Sequence, residues 1–148
     1  SGYLQLDLPA KQKAFFTTYP NIVAQVEFRT EDGRAATTRP LARNPHLAFK
    51  VIGIEPSESR FYGVAIANTA PVKSDVTLRL WTPAGALLQD STVSLSPGTS
   101  VSKLLTEIFS VAIPENPVVE FSASTPFFGT LIGGATAGDT LITLPTIP

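Results

Sequence analysis

Apolar and polar residues alternate along several short stretches of this chain. Between residues 24 and 30 every second side chain is apolar up to Phe28. A period of two is the repeat of a β-strand that has one face in a core and the other in water. Gly33 follows within Glu31–Arg34, where glycine can take the positive φ of a tight turn. The pattern predicts a hairpin whose second strand covers about residues 35–40.

The same construction recurs fifty-two residues later. Val76, Leu78 and Leu80 alternate with more polar neighbours, and Thr82–Gly85 supplies the turn. Gly33 and Gly85 align under this offset. We therefore expect a single domain over residues 1–148 with a weak internal duplication of residues 20–60 and 61–145.

Proline and glycine divide the rest of the chain into further short strands. The expected strands cover residues 50–54, 62–66, 118–123, 127–132 and 141–144, with turns at 56–59 and 124–126. Ser100–Phe109 instead has apolar residues at helical spacing, and Ser100 can cap a helix there. The sequence predicts an all-β fold, an antiparallel β-sandwich of about nine strands with one short helix.

Composition narrows the classes of partner. The chain has 148 residues, 43% of them hydrophobic, and a formal net charge of −1, which argues against nucleic acid or anionic lipid as a partner. It contains no cysteine, so disulfides, thiol catalysis and thiolate metal sites are excluded. No apolar run reaches the roughly 18 residues of a membrane helix, and we expect a soluble chain without direct membrane insertion.

Residues 61–145 resemble a repeat of secreted, multi-domain bacterial proteins. That repeat has a Gly-x-Ala-x-Ala-Asn strand, a glycine hairpin turn, a Pro-Gly loop, a short helix ending in Glu-Leu-Phe and a closing Thr-Leu-Pro. The matching segments here are Gly63–Asn68, Gly85, Ser96–Gly98, Leu104–Phe109 and Thr143–Pro145, with Ile108 in place of the usual leucine. The resemblance implies a fold and an extracellular setting, and it carries over no catalytic residue.

Catalytic and cofactor signatures are weak in this sequence. His46 is the only histidine, it has no nucleophile elbow nearby, and one histidine without cysteine is too few ligands for zinc. Gly133–Gly138 has the glycine spacing of a phosphate loop, but Asp139 follows where lysine is needed. We interpret it as a loop between two strands, and we expect no catalytic residue, no cofactor and no metal.

Aromatic residues give the one positive signal for a binding site. Trp81 falls on the polar side of its strand beside Arg79, and sugar rings stack on exposed aromatic side chains. Tyr19 and Tyr62 could extend such a platform. The alternative is that Trp81 packs under a neighbouring element, as large aromatic residues in sandwiches commonly do.

We therefore expect a non-catalytic structural, adhesion or assembly module of a secreted or surface-displayed bacterial protein. Its partners would be neighbouring domains of the parent protein or other surface proteins. A carbohydrate-binding module is the alternative, and an enzyme would require a deep pocket with His46 and an acid. Strand addition to another module would require a long, uncovered edge strand free of proline and lysine.

Overall fold

Ten antiparallel strands and one helical turn make up the part of the chain that the computed structural model describes, which is residues 25–29, 34–40, 45–137 and 140–147. In chain order the elements are β1 (Gln25–Arg29), β2 (Ala36–Pro40), β3 (His46–Val51), β4 (Arg60–Ala67), β5 (Ser74–Trp81), β6 (Leu87–Leu95), β7 (Ser100–Leu104), α1 (Leu105–Ile108), β8 (Val118–Ala135), β9 (Leu141–Thr143) and β10 (Thr146–Ile147).

β8 is the strand around which the fold is built. Strands β3 to β10 form one hydrogen-bonded network, while β1 and β2 pair only with each other. Residues 118–122 of β8 pair with β5 and β3, and residues 128–135 pair with β4. We call the β6-β5-β8-β3-β10 side the first half-sheet and the β7-β4-β8-β9 side the second half-sheet.

The two half-sheets share one hydrophobic core. Leu78 and Leu80 of the first and Val64 and Ile66 of the second belong to a single cluster of buried side chains. Along β5 the inward residues are fully buried, and Thr77, Arg79 and Trp81 between them are partly exposed. The alternation read from the sequence is therefore correct, and the predicted all-β antiparallel fold with one short helix is confirmed.

The predicted helix over Ser100–Phe109 is wrong in its first half. Residues 100–104 form β7, which pairs with β4, and the helix covers only Leu105–Ile108. The Glu107 carboxylate accepts a hydrogen bond of 2.7 Å from the Leu104 backbone N–H, which satisfies a donor at the start of the helix. The helix begins after this contact, not at Ser100.

The predicted turn at residues 124–126 is also wrong, because β8 runs without a break from Val118 to Ala135. The register with β3 shifts between its pairs His46–Phe127 and Ala48–Ser122. Pro126 lies in that irregular stretch, where its missing N–H costs no ladder hydrogen bond. A bulge that carries β8 from one half-sheet to the other stands where a turn was expected.

Glycines of β8 allow aromatic rings to lie against the strand. A β-carbon at Gly129 would be 2.7 Å from Cζ of Phe49, and one at Gly133 would be 2.8 Å from the Tyr62 ring. Gly133 and Gly134 are strand residues paired with β4, so the interpretation of Gly133–Gly138 as a loop is wrong for its first residues. The glycine spacing here serves packing.

The two hairpins have the same register under the offset found in the sequence. Gln25 pairs with Pro40 in the first hairpin, and Thr77 pairs with Thr92 in the second. Thr77 lies fifty-two positions after Gln25, and Thr92 lies fifty-two positions after Pro40. Gly85 has a φ of 83° in its turn, and Gly33 lies outside the described residues. The internal duplication itself stays a prediction.

Candidate functional site

Among the described residues, Asn68 is the buried polar residue whose side chain makes the most hydrogen bonds, and it directly follows β4 at the end of the Gly-x-Ala-x-Ala-Asn motif. Its side chain is fully buried. The amide nitrogen donates to the carbonyl oxygens of Val72, Leu95 and Ser96 at 2.8, 3.2 and 3.3 Å, and Oδ1 accepts from the Ala70 N–H at 3.0 Å. Asn68 thus joins the loop after β4 to the loop after β6.

Other residues of the signature also hold the fold together. Gly98 takes a φ of 68° in the loop after β6, and its N–H donates to the Asn68 carbonyl at 2.9 Å. Leu105 and Phe109 at the helix are buried, and so is Leu144 of the closing Thr-Leu-Pro. The signature therefore describes packing and loop closure.

A row of charged residues crosses the outer face of the first half-sheet. Arg79 on β5 donates to Glu120 on β8 at 2.9 Å and to the Ser122 hydroxyl at 3.1 Å. Glu120 also faces Lys50 on β3, with a nitrogen–oxygen distance of 3.6 Å. Arg79 is engaged in this row, and any ligand for it would have to displace a partly buried ion pair.

Trp81 lies on the same face but is only partly exposed. It pairs with Val118 on β8 and with Leu87 on β6, next to an irregularity in the register of the hairpin. Its indole nitrogen is buried and has no hydrogen-bond partner within the described part of the chain. The ring is therefore partly packed against the sheet.

Tyr62 is not part of an exposed aromatic platform, which corrects that expectation. Its side chain is 6% exposed and belongs to the core on β4, in the other half-sheet from Trp81. The hydroxyl accepts from the Glu55 N–H at 3.0 Å and donates to the Glu55 carbonyl at 3.1 Å. Of the four residues proposed for sugar binding, Arg79 and Trp81 share a face, Tyr62 does not, and Tyr19 lies outside the described residues.

Small residues on β4 leave an open depression on the outer face of the second half-sheet. It has a volume of about 280 Å³ and lies over Gly63 and Ala65, between Leu104 and Ile132. The alternation of the Gly-x-Ala motif places both small residues outward. The depression is shallow and mostly apolar, with Lys103 and Glu107 lining it.

Hydrogen bonds at the surface shift the pKa values of Asp75 and Arg60. The Ser94 hydroxyl, and after it Lys73, lowers the pKa of Asp75, and the hydrogen bond that Arg60 donates to the Glu55 carboxylate raises the pKa of Arg60. His46 begins β3, and its ring meets Phe49 edge-on at 5.9 Å. No group of three or more possible metal ligands occurs among the described residues, and none of their helices is long and apolar enough to cross a membrane.

In the part of the chain that the structure describes, the eight-stranded network ends in four edge strands of unequal length. β10, β9 and β7 have two, three and five residues, whereas β6 has nine. Within the described chain β6 pairs with β5 alone. Its sequence, Leu-Leu-Gln-Asp-Ser-Thr-Val-Ser-Leu, contains neither proline nor lysine. This is the edge that strand addition would require.

Comparison with known proteins supports the fold. No profile of a known family matches the chain, and no curated protein matches it in sequence. A crystal structure of Thermotoga maritima 1070 is similar, with a TM-score of 0.57 and 13% identity over 70% of this chain and 94% of that chain. At this level of identity the likeness concerns the β-rich fold alone.

Proposed function

We propose that this chain is a non-catalytic module that serves structure, adhesion or assembly in a secreted or surface-displayed bacterial protein. The observation that carries the proposal is the role of Asn68 and its neighbours. Asn68, Gly98, Leu105, Phe109 and Leu144 match the secreted bacterial repeat, and each of them packs the core or closes a loop. A protein in which such residues maintain a rigid domain is suited to holding or presenting other parts of a molecule.

The polar groups of the described residues agree with this role. Arg79 and Lys50 both pair with Glu120 across the first half-sheet, and Arg60 pairs with Glu55 at 2.7 Å. Such pairs stabilise a surface modestly. The partners of the module would be neighbouring domains of the parent protein or other surface proteins.

The cellular location of the protein tests this proposal most directly. An antibody against the purified domain is applied to the intact producing cells, which are then treated with an external protease. We expect surface labelling that the protease removes, while a cytosolic marker in the same cells stays intact. Recovery of the protein only in the cytosolic fraction, protected until lysis, would refute the extracellular setting.

A further inference from the structure

We propose that β6 is an interaction surface on which two copies of this chain pair, antiparallel, strand β6 against strand β6. The inference rests on the proposed function and deepens it by naming the partner in assembly. An unpaired edge strand presents a row of backbone N–H and C=O groups to any strand that can reach it.

The contrast among the four edges of the network singles out β6. Natural sheets protect their edges with short strands, proline, lysine or bulges. β9 and β10 are very short, and β7 carries Lys103 and passes directly into the helix. β6 is nine residues long, and its register with β5 is regular from Gln89 to Leu95.

The choice of a second copy comes from the register that β6 allows against itself. Side chains alternate along β6, with Asp90, Thr92 and Ser94 exposed on the outer side. Two sheets joined edge to edge must keep outer side chains opposite outer side chains. An antiparallel self-pair must therefore be centred on a residue.

A pair centred on Ser91 uses the full length of β6 and sets no two like charges opposite each other. It places Asp90 of each copy opposite Thr92 of the other and overlaps the strands over their whole length, from Leu87 to Leu95. Asp90 is the only charged residue of β6, so no like charges face each other. Centring on Asp90 would set two carboxylates directly opposite, which is destabilising in a sheet.

The pair would be symmetric about a two-fold axis, the commonest arrangement of homo-oligomers. Each first half-sheet contributes five strands, so the joined sheet would run through ten. Arg79 lies beside Asp90 on β5, and the charged row of Arg79, Glu120 and Lys50 would continue across the axis on the same outer face.

The test uses opposite charges at one exposed position. The full chain, Thr92→Asp and Thr92→Lys are compared by sedimentation velocity across a concentration series, with folding checked by circular dichroism. The monomer is 15.7 kDa. We expect the native chain to dimerise, Thr92→Asp to raise the dimer dissociation constant at least tenfold because it faces Asp90, and Thr92→Lys to leave it equal or lower.

A charge swap fixes the register. In the double variant Asp90→Lys/Thr92→Asp each new lysine faces a new aspartate, and we expect the dissociation constant to return to within about threefold of the native value. A native chain that stays monomeric at several hundred micromolar would overturn the proposal. So would a dimer that Thr92→Asp and Thr92→Lys weaken equally. Neither result changes the protease test of location, so the two proposals fail separately.

Discussion

The buried amide of Asn68 donates to the carbonyl oxygen of Leu95, twenty-seven residues further along the chain. This contact joins the end of β4 to the end of β6. The same amide nitrogen also donates to the carbonyl oxygens of Val72 and Ser96, so one buried side chain bonds backbone groups of two loops.

Replacing Asn68 by alanine should lower the free energy of unfolding by about 2–3 kcal/mol, because the hydrogen bonds of its side chain to Leu95, Val72 and Ala70 are lost. Chemical denaturation measures the change. Asn68→Asp keeps the shape but turns a carboxylate toward three carbonyl oxygens, and it should destabilise more at neutral pH than at pH 4. An alanine variant as stable as the native chain would contradict this account.

Gly129 and Gly63 provide a matched pair of glycines in strands. A methyl group at Gly129 would lie 2.7 Å from the Phe49 ring, whereas one at Gly63 would meet its nearest atom at 3.5 Å. Gly129→Ala should therefore lower the free energy of unfolding by about 1–3 kcal/mol, and Gly63→Ala should leave it nearly unchanged. A second substitution, Phe49→Leu, should reduce the penalty at Gly129, and equal effects of the two glycine variants would argue against ring packing as the cause.

The strand content of this fold could be predicted from the sequence, because a period of two is a direct consequence of a half-buried sheet. Val76, Leu78 and Leu80 are buried as the alternation requires. The helix boundary could not be placed from periodicity. Leu105 and Ile108 fit the apolar stripe of a helix, but residues 100–104 pair with β4 and are therefore a strand. The sequence feature that marks the start of the helix is Glu107, three residues after Leu104.

The path of β8 could not be read locally either. Taken alone, Pro126 indicates a turn. The residues before it pair with β3 and β5 and those after it pair with β4, so the strand continues through a bulge instead. Tyr62 illustrates the same limit at the candidate site. Its exposure depends on which half-sheet covers β4, and the sequence of β4 alone does not contain that information.

Asp75 should show a pKa below the ordinary value of an aspartate. The Ser94 hydroxyl is the main cause and Lys73 adds to it. A lowered pKa in the folded state stabilises the protein above the pKa of the unfolded chain, and this contribution disappears as the pH falls through the folded value. Carbon NMR of the carboxyl group measures it, and Ser94→Ala should raise the pKa. A pKa that ignores this substitution would rule out the hydroxyl as its cause.

The ion pair between Arg79 and Glu120 should contribute a small coupling energy. The Arg79 side chain is 35% exposed and that of Glu120 is 20% exposed, so water screens the interaction in part. A double-mutant cycle with Arg79→Met and Glu120→Gln should give about 0.5–1 kcal/mol, decreasing with added salt. A coupling that is zero, or that salt leaves unchanged, would mean that the pair does not act electrostatically.

Trp81 should act on stability rather than on sugar recognition. Trp81→Ala should lower the free energy of unfolding by about 2–3 kcal/mol through lost packing, and Trp81→Phe should lower it less. A glycan array probed with the native chain and Trp81→Phe should show no retained sugar. Binding by the native chain that disappears in folded Trp81→Phe would instead favour the carbohydrate-binding alternative.

The passage of β8 through both half-sheets has a consequence for how the domain unfolds. Neither half-sheet can detach while β8 remains paired in the other, so the domain should unfold in a single all-or-none transition. Most strand pairings of β8 join residues that are distant in sequence, which predicts slow folding of the domain. A circular permutant opened at Ser124 would divide the strand, and it would allow the two layers to lose their structure at different temperatures.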